Sequence, residues 1–206
     1  ILSDVPYKKM LNVMSNLIRE LQLDLKFLDL GGGFGISYNK KDKPIDLKKY
    51  SESVYKLAKK LKCKIIFEPG RSIIGDTGVL LSKIQYIKKG VKKDFVIIDA
   101  GMNDFMRPAL YDAVHKIIPT KKSNSKLKGV IEFVGPICES TCKFGSYKNY
   151  QKMNENDFVA ITNVGAYGSS LSSNYNSRPL IAELLVNKNK LKYIRKKQDL
   201  LKLINS

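Results

Sequence analysis

Two short stretches of this chain combine an acid, glycines and an arginine in ways that could hold an anion. In Phe27-Leu-Asp-Leu-Gly-Gly-Gly-Phe-Gly-Ile36 an apolar run ends in Asp29 and its neighbour Leu30, then breaks into Gly31, Gly32, Gly33 and Gly35. Glycines at that density remove side chains where backbone N–H groups can close around an anion. Glu68-Pro69-Gly70-Arg71 adds a guanidinium, whose flat fork of donors matches a phosphate or a carboxylate. Taken by itself, the glycine run reads either as a phosphate cradle or as a tight turn. It does not fit the dinucleotide fingerprint G-x-G-x-x-G, because counted from Gly31 the third glycine would fall on Ile36.

Further segments carry reactive or recognising side chains immediately past apparent strand ends. Asp99-Ala-Gly-Met-Asn-Asp104 leads into Arg107-Pro108-Ala-Leu-Tyr111. Gly135-Pro-Ile-Cys138-Glu139-Ser140 follows another strand, and Asn163-Val-Gly165-Ala-Tyr167-Gly168 a third. Each has a bland alternative. Arg71 and Arg107 read as binding groups or as surface ion-pair residues. Cys138 reads as a reactive thiol or as an inert buried one, since free cysteine is often buried. His115 reads as a packing residue or as a support for the neighbouring motif. The Cys138–Cys142 spacing hints at metal, but one histidine and the distant Cys63 cannot finish a zinc site.

The elements that must position these residues can be read in order. Ser3 or Asp4 before Pro6 marks a helix start, and Leu11, Met14, Ile18 and Leu21 recur at helical spacing. A strand over Leu25–Leu30 carries the glycine loop. Asp46 caps a second helix with Val54, Leu57, Ala58 and Leu61 on its buried face, and Ile65-Ile66-Phe67 then leads to Glu68. This is a βαβ unit, whose strands should be parallel and joined by a right-handed crossover. Parallel strands share an end, so Gly31–Gly35 and Gly70–Arg71 should open on one rim. Paired there, they make a phosphate site much stronger than either alone, as in barrels whose phosphate site follows the last two strands.

From Thr77 the texture changes. Val79–Tyr86, Phe95–Ile98, Val130–Val134, Phe158–Val164 and Leu180–Val186 are short, β-rich runs separated by Gly, Asn, Asp and Lys. The expected organisation is an α/β portion over residues 1–76 and a mostly antiparallel β domain over 77–206, with the boundary near Gly75–Gly78. Lys121–Lys128 is the nearest approach to a flexible loop.

Composition narrows the function classes. The chain has 206 residues, 43% of them hydrophobic, enough to bury a core. No apolar run approaches the ~18 residues of a membrane span, and no secretory signal opens the chain. Three cysteines argue for a reducing cytoplasm rather than a disulfide framework. The formal charge of +18 invites a nucleic-acid reading. Yet Lys40, Lys41, Lys59, Lys60, Lys88, Lys89, Lys92 and Lys93 sit at scattered positions, not interleaved with aromatics as a base-stacking platform requires. The dense stretch Lys188–Lys197 is explained as well by a solvated strand edge. The expected partner is a small molecule, not nucleic acid or membrane.

Read together, D-L-G-G-G-F-G, E-P-G-R, D-A-G-M-N-D-F-M-R-P-A-L-Y, G-P-I-C-E-S and G-A-Y-G run in order from Asp29 to Gly168. In kind and order they resemble the motifs of the pyridoxal-phosphate-dependent decarboxylases built on a barrel plus a β domain. The resemblance implies that residues 1–76 are the last two βα units of a TIM-type barrel and that 77–206 are the C-terminal β domain. It implies pyridoxal 5'-phosphate as cofactor, held by Gly33, Glu68, Pro69, Gly70, Arg71 and Tyr167. Glu68 would face the pyridine nitrogen and keep it protonated. Arg71, Arg107, Tyr111, Glu139 and Tyr167 would hold the substrate. Cys138 would be the catalytic acid, reaching across a homodimer interface to protonate the carbon that has lost CO₂. Glu139 discriminates within the family. Relatives acting on ornithine typically carry Asp after the cysteine, so C-E-S with R-P-A-L-Y implies a substrate with an amino-acid head at each end. The implied reaction is decarboxylation of meso-2,6-diaminopimelate to L-lysine; the alternatives are a related ornithine, arginine or polyamine-precursor decarboxylase, or a non-catalytic basic binding domain.

One departure stands out. The family's covalent anchor lysine and ring-stacking histidine lie in the first half of the barrel, and no lysine here has the anchor's context. The chain opens at Ile1 and soon enters an α/β unit, which reads as the tail of something longer: a fragment, half of a split enzyme, or a remnant. Two strands cannot close a barrel, so Leu28, Leu30, Ile65 and Phe67 are expected to show apolar surface to water and the isolated chain to be inactive.

Overall fold

The computed structural model describes residues 2–38 and 42–205. Lys40 and Lys41, read above as surface lysines, lie outside these described residues. The chain divides into two compact units, Ile1–Asp76 and Thr77–Ser206.

In the first unit, helix α1 (Val5–Glu20) starts after Asp4 with a proline in its first turn, where the missing N–H costs nothing. Tyr7, Leu11 and Ile18 form its buried face. Leu21, expected on that face, lies past the helix end and is exposed. Helix α2 (Leu47–Leu61) is capped by Asp46, whose carboxylate accepts from Lys49 N at 3.0 Å. Its buried residues are Tyr50, Val54 and Leu57. Strands β1 (Phe27–Asp29) and β2 (Lys64–Ile66) pair in parallel, with Leu28 opposite Ile65. β1 is shorter than the expected run Leu25–Leu30, while β2 has the length of its expected run but lies one residue earlier, so Phe67 falls just beyond it.

The expectation that Leu28 and Leu30 would show apolar surface is corrected: they are only 5% and 6% exposed. Alternation along the strand turns them toward the helices, into one cluster with Tyr7, Leu11, Ile18, Tyr50, Val54 and Leu57. Ile65, also expected to be exposed, is half-buried against the same cluster, whereas Phe67 is exposed as expected; further apolar surface is uncovered on Phe27 and Ile66, on the opposite side of the pleat.

In the second unit, six strands form one sheet in the order β5-β8-β3-β4-β6-β7. They are β3 (Val79–Lys88), β4 (Asp94–Ile98), β5 (Ile117–Pro119), β6 (Val130–Val134), β7 (Lys143–Lys148) and β8 (Phe158–Thr162). The sheet is mixed: β4 and β6 run parallel, while the other neighbours are antiparallel. Alternate residues Ile84, Val96, Ile98, Ile131, Phe133, Val159 and Ile161 are fully buried and share a core with Phe105, Ile117, Phe144 and Met153. A short helix, α4 (Arg107–Tyr111), lies between β4 and β5. A separate antiparallel hairpin, β9 (Glu183–Asn187) and β10 (Lys190–Arg195), carries much of the dense lysine stretch. A last helix, α5 (Leu200–Ile204), follows. No helix among the described residues is long and apolar enough to cross a membrane.

Candidate active site

The parallel pairing of β1 and β2 puts the loops that follow them side by side in the first unit. Asp29 folds back to accept Gly31 N at 2.8 Å, tightening the exit from β1. Gly31 O in turn accepts Glu68 N at 2.8 Å, and Leu30 N donates to Ile66 O. A Cβ on Gly32 would stand 2.1 Å from Glu68 O, so only glycine lets the two loops meet. Gly33 has φ +84°, in the left-handed region that glycine reaches without strain. The glycine run and Glu68–Arg71 are thus stitched into one backbone surface.

Beneath that surface lies an aromatic cluster. Tyr7 stacks on Phe34 at 5.1 Å between ring centroids, with Tyr50 and Phe67 against them. The Tyr7 hydroxyl donates to Gly32 O at 3.4 Å. Burial pushes its pKa up while the Arg71 charge pulls the other way, the net result being a rise, so Tyr7 remains a protonated donor. Arg71 opens the short helix α3 (Arg71–Ile74). Its Nε is buried without a hydrogen-bond partner. A buried donor left unmatched costs free energy, and an anion is its natural partner. An unmatched guanidinium nitrogen on the segment that the glycine run meets backbone to backbone fits a phosphate-bearing group.

In the second unit, direction matters more than neighbourhood. Since β8 is antiparallel to β3, and β3 to β4, strands β4, β6 and β8 all point one way. The loops 99–106, 135–142 and 163–168 therefore leave one rim of the sheet. These are the motif loops, and the first two are locked together. A Cβ on Gly135 would meet Cys142 Sγ at 2.5 Å and Ala100 O at 2.6 Å. Cys142 is buried, and its Sγ accepts Met102 N at 3.4 Å. Asp104 accepts Gly101 N at 2.8 Å and Asn103 Nδ2 at 3.0 Å, and Asp99 accepts Ser82 Oγ at 2.6 Å.

Arg107, the first residue of α4, is 8% exposed. One of its terminal nitrogens lies 3.3 Å from His115 Nε2, and its guanidinium carbon sits 5.7 Å from the Tyr167 ring centroid. Arg107, His115 and Tyr167 are brought together. Tyr167 adopts φ +62°, a conformation that costs a non-glycine residue energy and often marks a functional position. Tyr111 is exposed at the end of α4. Cys138 is exposed, unlike Cys63 and Cys142, so the inert buried reading does not hold for it. Glu139 accepts a hydrogen bond from the Tyr175 hydroxyl and another from Thr141 Oγ1 at 3.4 Å.

Sequence reasoning missed Tyr175 and Arg178. Arg178 donates from Nε to Asn103 Oδ1 at 2.9 Å and from a terminal nitrogen to Asp99 O at 2.8 Å, pinning the loop that precedes Arg107. Its one signal is the pair Arg178-Pro179, which repeats Arg107-Pro108. No group of three or more His, Cys, Asp or Glu side chains among the described residues could hold a metal ion.

Residues 11–165 match a family model described as the C-terminal sheet domain of pyridoxal-dependent decarboxylases. The diaminopimelate decarboxylase of Aquifex aeolicus is 39% identical over 97% of this chain and 48% of its own length. A diaminopimelate decarboxylase from Helicobacter pylori is 42% identical over 94% of the chain and 47% of its length. A crystal structure of the Helicobacter pylori enzyme complexed with L-lysine is 40% identical, with a TM-score of 0.81 over 96% of this chain and 48% of that one. The chain spans about half the length of these relatives. With the family model covering most of its length, and the glycine cradle and motif loops in place, this chain belongs to the pyridoxal-dependent decarboxylases.

Proposed function

We propose that the chain supplies the phosphate cradle, the substrate grip and the proton-donating thiol of a diaminopimelate decarboxylase. It would work with the other half of the length seen in its relatives, which carries the covalent anchor. On this reading the first unit is the last two βα units of an α/β barrel, and the second is the C-terminal β domain of a homodimer. The observation that carries it is the buried, oriented Arg107 in a chain about 40% identical to these enzymes over nearly all its length.

Gly33 and the backbone of Glu68, Pro69, Gly70 and Arg71 would hold the phosphate and ring of pyridoxal 5'-phosphate, with Tyr167 closing the grip. When bound, the cofactor supplies an electron sink for the carbon that loses its carboxylate. The Glu68 carboxylate would keep a proton on the cofactor's ring nitrogen, which strengthens the electron sink. Arg71 binds an anionic group through its unmatched Nε, and Arg107 holds the distal carboxylate of the substrate. Tyr111 and Tyr167 border that end, while Glu139 receives the distal ammonium. After the bond to the departing carboxylate breaks, Cys138 Sγ gives its proton to the carbon left behind.

The reading is tested in the complete cofactor-loaded protein by CO₂ release from meso-diaminopimelate, L-lysine and L-ornithine. The expected result is turnover of diaminopimelate with L-lysine as product, and little of the others. Preferred turnover of lysine or ornithine would overturn the substrate assignment. The solved relative complexed with L-lysine supports lysine as the species released.

A further inference from the structure

We propose that His115 is the positioning residue for Arg107: as a neutral imidazole it receives the guanidinium and ties it to strand β8, so that carboxylate binding fails when His115 takes up a proton. This rests on the reading that Arg107 holds the substrate's distal carboxylate.

The geometry leaves one tautomer. His115 Nδ1 is 2.9 Å from Thr162 O, and a carbonyl can only accept, so Nδ1 carries the hydrogen. Nε2 then presents a lone pair, and Arg107 lies 3.3 Å from it with nothing but donors to offer. The ring is fully buried and held edge-on to Phe105 at 4.6 Å. Its own backbone carbonyl accepts the Tyr147 hydroxyl at 3.1 Å. Thr162 ends β8, and Tyr167 lies in the loop that follows. One imidazole therefore ties Arg107 to the strand that leads to Tyr167, whose ring also packs on the guanidinium.

Protonation would reverse the contact. An imidazolium directs N–H groups from both nitrogens, placing a donor and a positive charge against Arg107. Among the described residues, charged and titratable groups that face His115 include Arg107 from α4 and the Tyr147 phenol from β7, whose pKa burial raises so that it stays neutral. Burial lowers the His115 pKa below 6.5, and Arg107 lowers it further, against a smaller opposing pull from Thr162 O. The imidazole is thus neutral at neutral pH, and the grip is complete there.

Side-chain isosteres separate the two ends of the ring. In His115→Gln the amide oxygen takes the Nε2 position and still accepts from Arg107. In His115→Asn the amide reaches only the Nδ1 position, and the acceptor for Arg107 is gone. Steady-state kinetics on the complete cofactor-loaded enzyme with meso-diaminopimelate should give His115→Asn a KM raised roughly tenfold to a hundredfold, as loss of a hydrogen bond to a charged group implies, with kcat little changed. His115→Gln should recover most of that KM. The wild-type kcat/KM should fall on acidification below about pH 6.5, and this acid limb should vanish in His115→Gln. A readout independent of turnover is the imidazole ¹⁵N spectrum, with His115 signals identified by their absence in His115→Gln. It should show Nδ1–H with a bare Nε2, and Arg107→Ala should move the Nε2 signal. If Arg107→Ala raises KM but His115→Asn and His115→Gln behave alike, the positioning role is wrong and the Arg107 reading stands. If Arg107→Ala leaves KM unchanged, the underlying reading falls. Should His115→Asn not fold, the wild-type acid limb and the spectrum decide: a pH-flat kcat/KM or a protonated Nε2 overturns the proposal.

Discussion

At the rim of the second unit, two cysteines four positions apart have opposite surroundings. Cys142 is buried against Gly135 and accepts the Met102 amide, whereas Cys138 is exposed. Cys142→Ser should therefore destabilise the fold by about 1–3 kcal/mol, the cost of placing a hydroxyl in a site built for sulfur, read as a lower denaturation midpoint. Cys138→Ala should leave that midpoint unchanged. If Cys138 is the proton donor, its loss should depress turnover about 10²- to 10⁴-fold with substrate binding nearly intact, and product formed in deuterated water should lose stereochemical purity. Weakened binding with turnover and labelling preserved would make Cys138 a packing residue. If Arg107 holds the distal carboxylate as proposed, Arg107→Ala removes a desolvated, charge-assisted contact worth about 2–5 kcal/mol. Diaminopimelate turnover by the complete protein should then fall steeply while turnover of L-lysine, which has no distal carboxylate, changes little.

Between elements, the fold depends on backbones that touch where no side chain fits. Gly32→Ala would drive a methyl group into Glu68 O, forcing the glycine loop off the Glu68–Arg71 segment. A cost of about 1–3 kcal/mol or more is expected, with pyridoxal phosphate retention by the complete protein falling in step. Unchanged cofactor retention would mean that the loops need not meet. The sheet also has a titratable tie. Glu132 on β6 accepts from Lys93 at 2.5 Å and from Ser146 on β7 at 3.1 Å. Partial burial pushes its pKa up, but these hydrogen bonds outweigh that and hold it below 4.5. A carboxyl depressed in the folded state adds stability above its unfolded pKa, and that stability drains away as pH falls through the folded value. Glu132→Gln should thus cost stability at neutral pH, with the difference from wild type shrinking as pH falls below about 4.5. An equal deficit at all pH values would show that the contribution is steric.

For the molecule as a whole, the net charge of +18 outruns the carboxylates available to answer it. The ion pairs Lys8–Asp4, Lys89–Asp94, Lys93–Glu132 and Lys121–Asp157 each use a lysine, and most of the described lysines face solvent. Self-repulsion of this kind is screened by salt, over a length of about 8 Å at 0.15 M. The melting temperature should therefore rise between low and physiological ionic strength; a fall would show that the ion pairs outweigh the repulsion. Apolar surface is uncovered on Phe27, Ile66 and Phe67 of the first unit and on Leu184, Val186, Leu191 and Tyr193 of the hairpin. Patches of that kind mark contact with other protein. The chain expressed by itself should self-associate and bind hydrophobic dyes more than the complete protein does.

What the sequence determined by itself was the local chemistry and its order. The glycine run, Glu68–Arg71, the parallel βαβ unit and the change of texture near Thr77 all follow from short-range patterns: glycine density, helical spacing and strand alternation. The identity of Arg107, Cys138, Glu139 and Tyr167 as residues past strand ends was equally local. Tertiary structure decided what those patterns could not carry. Whether Leu28 and Leu30 were covered depended on which side of a three-residue strand met α1 and α2, a choice that so brief an alternation leaves open. The three-residue strand β5 and the one-turn helix α4 were too brief for any period to register, and β7 carries Gly145 in mid-strand where an apolar side chain would have marked it. Arg178 reaches Asn103 across 75 positions of chain, and Tyr175 meets Glu139 across 36. Such pairs come into contact only when the sheet order sets β4, β6 and β8 pointing one way.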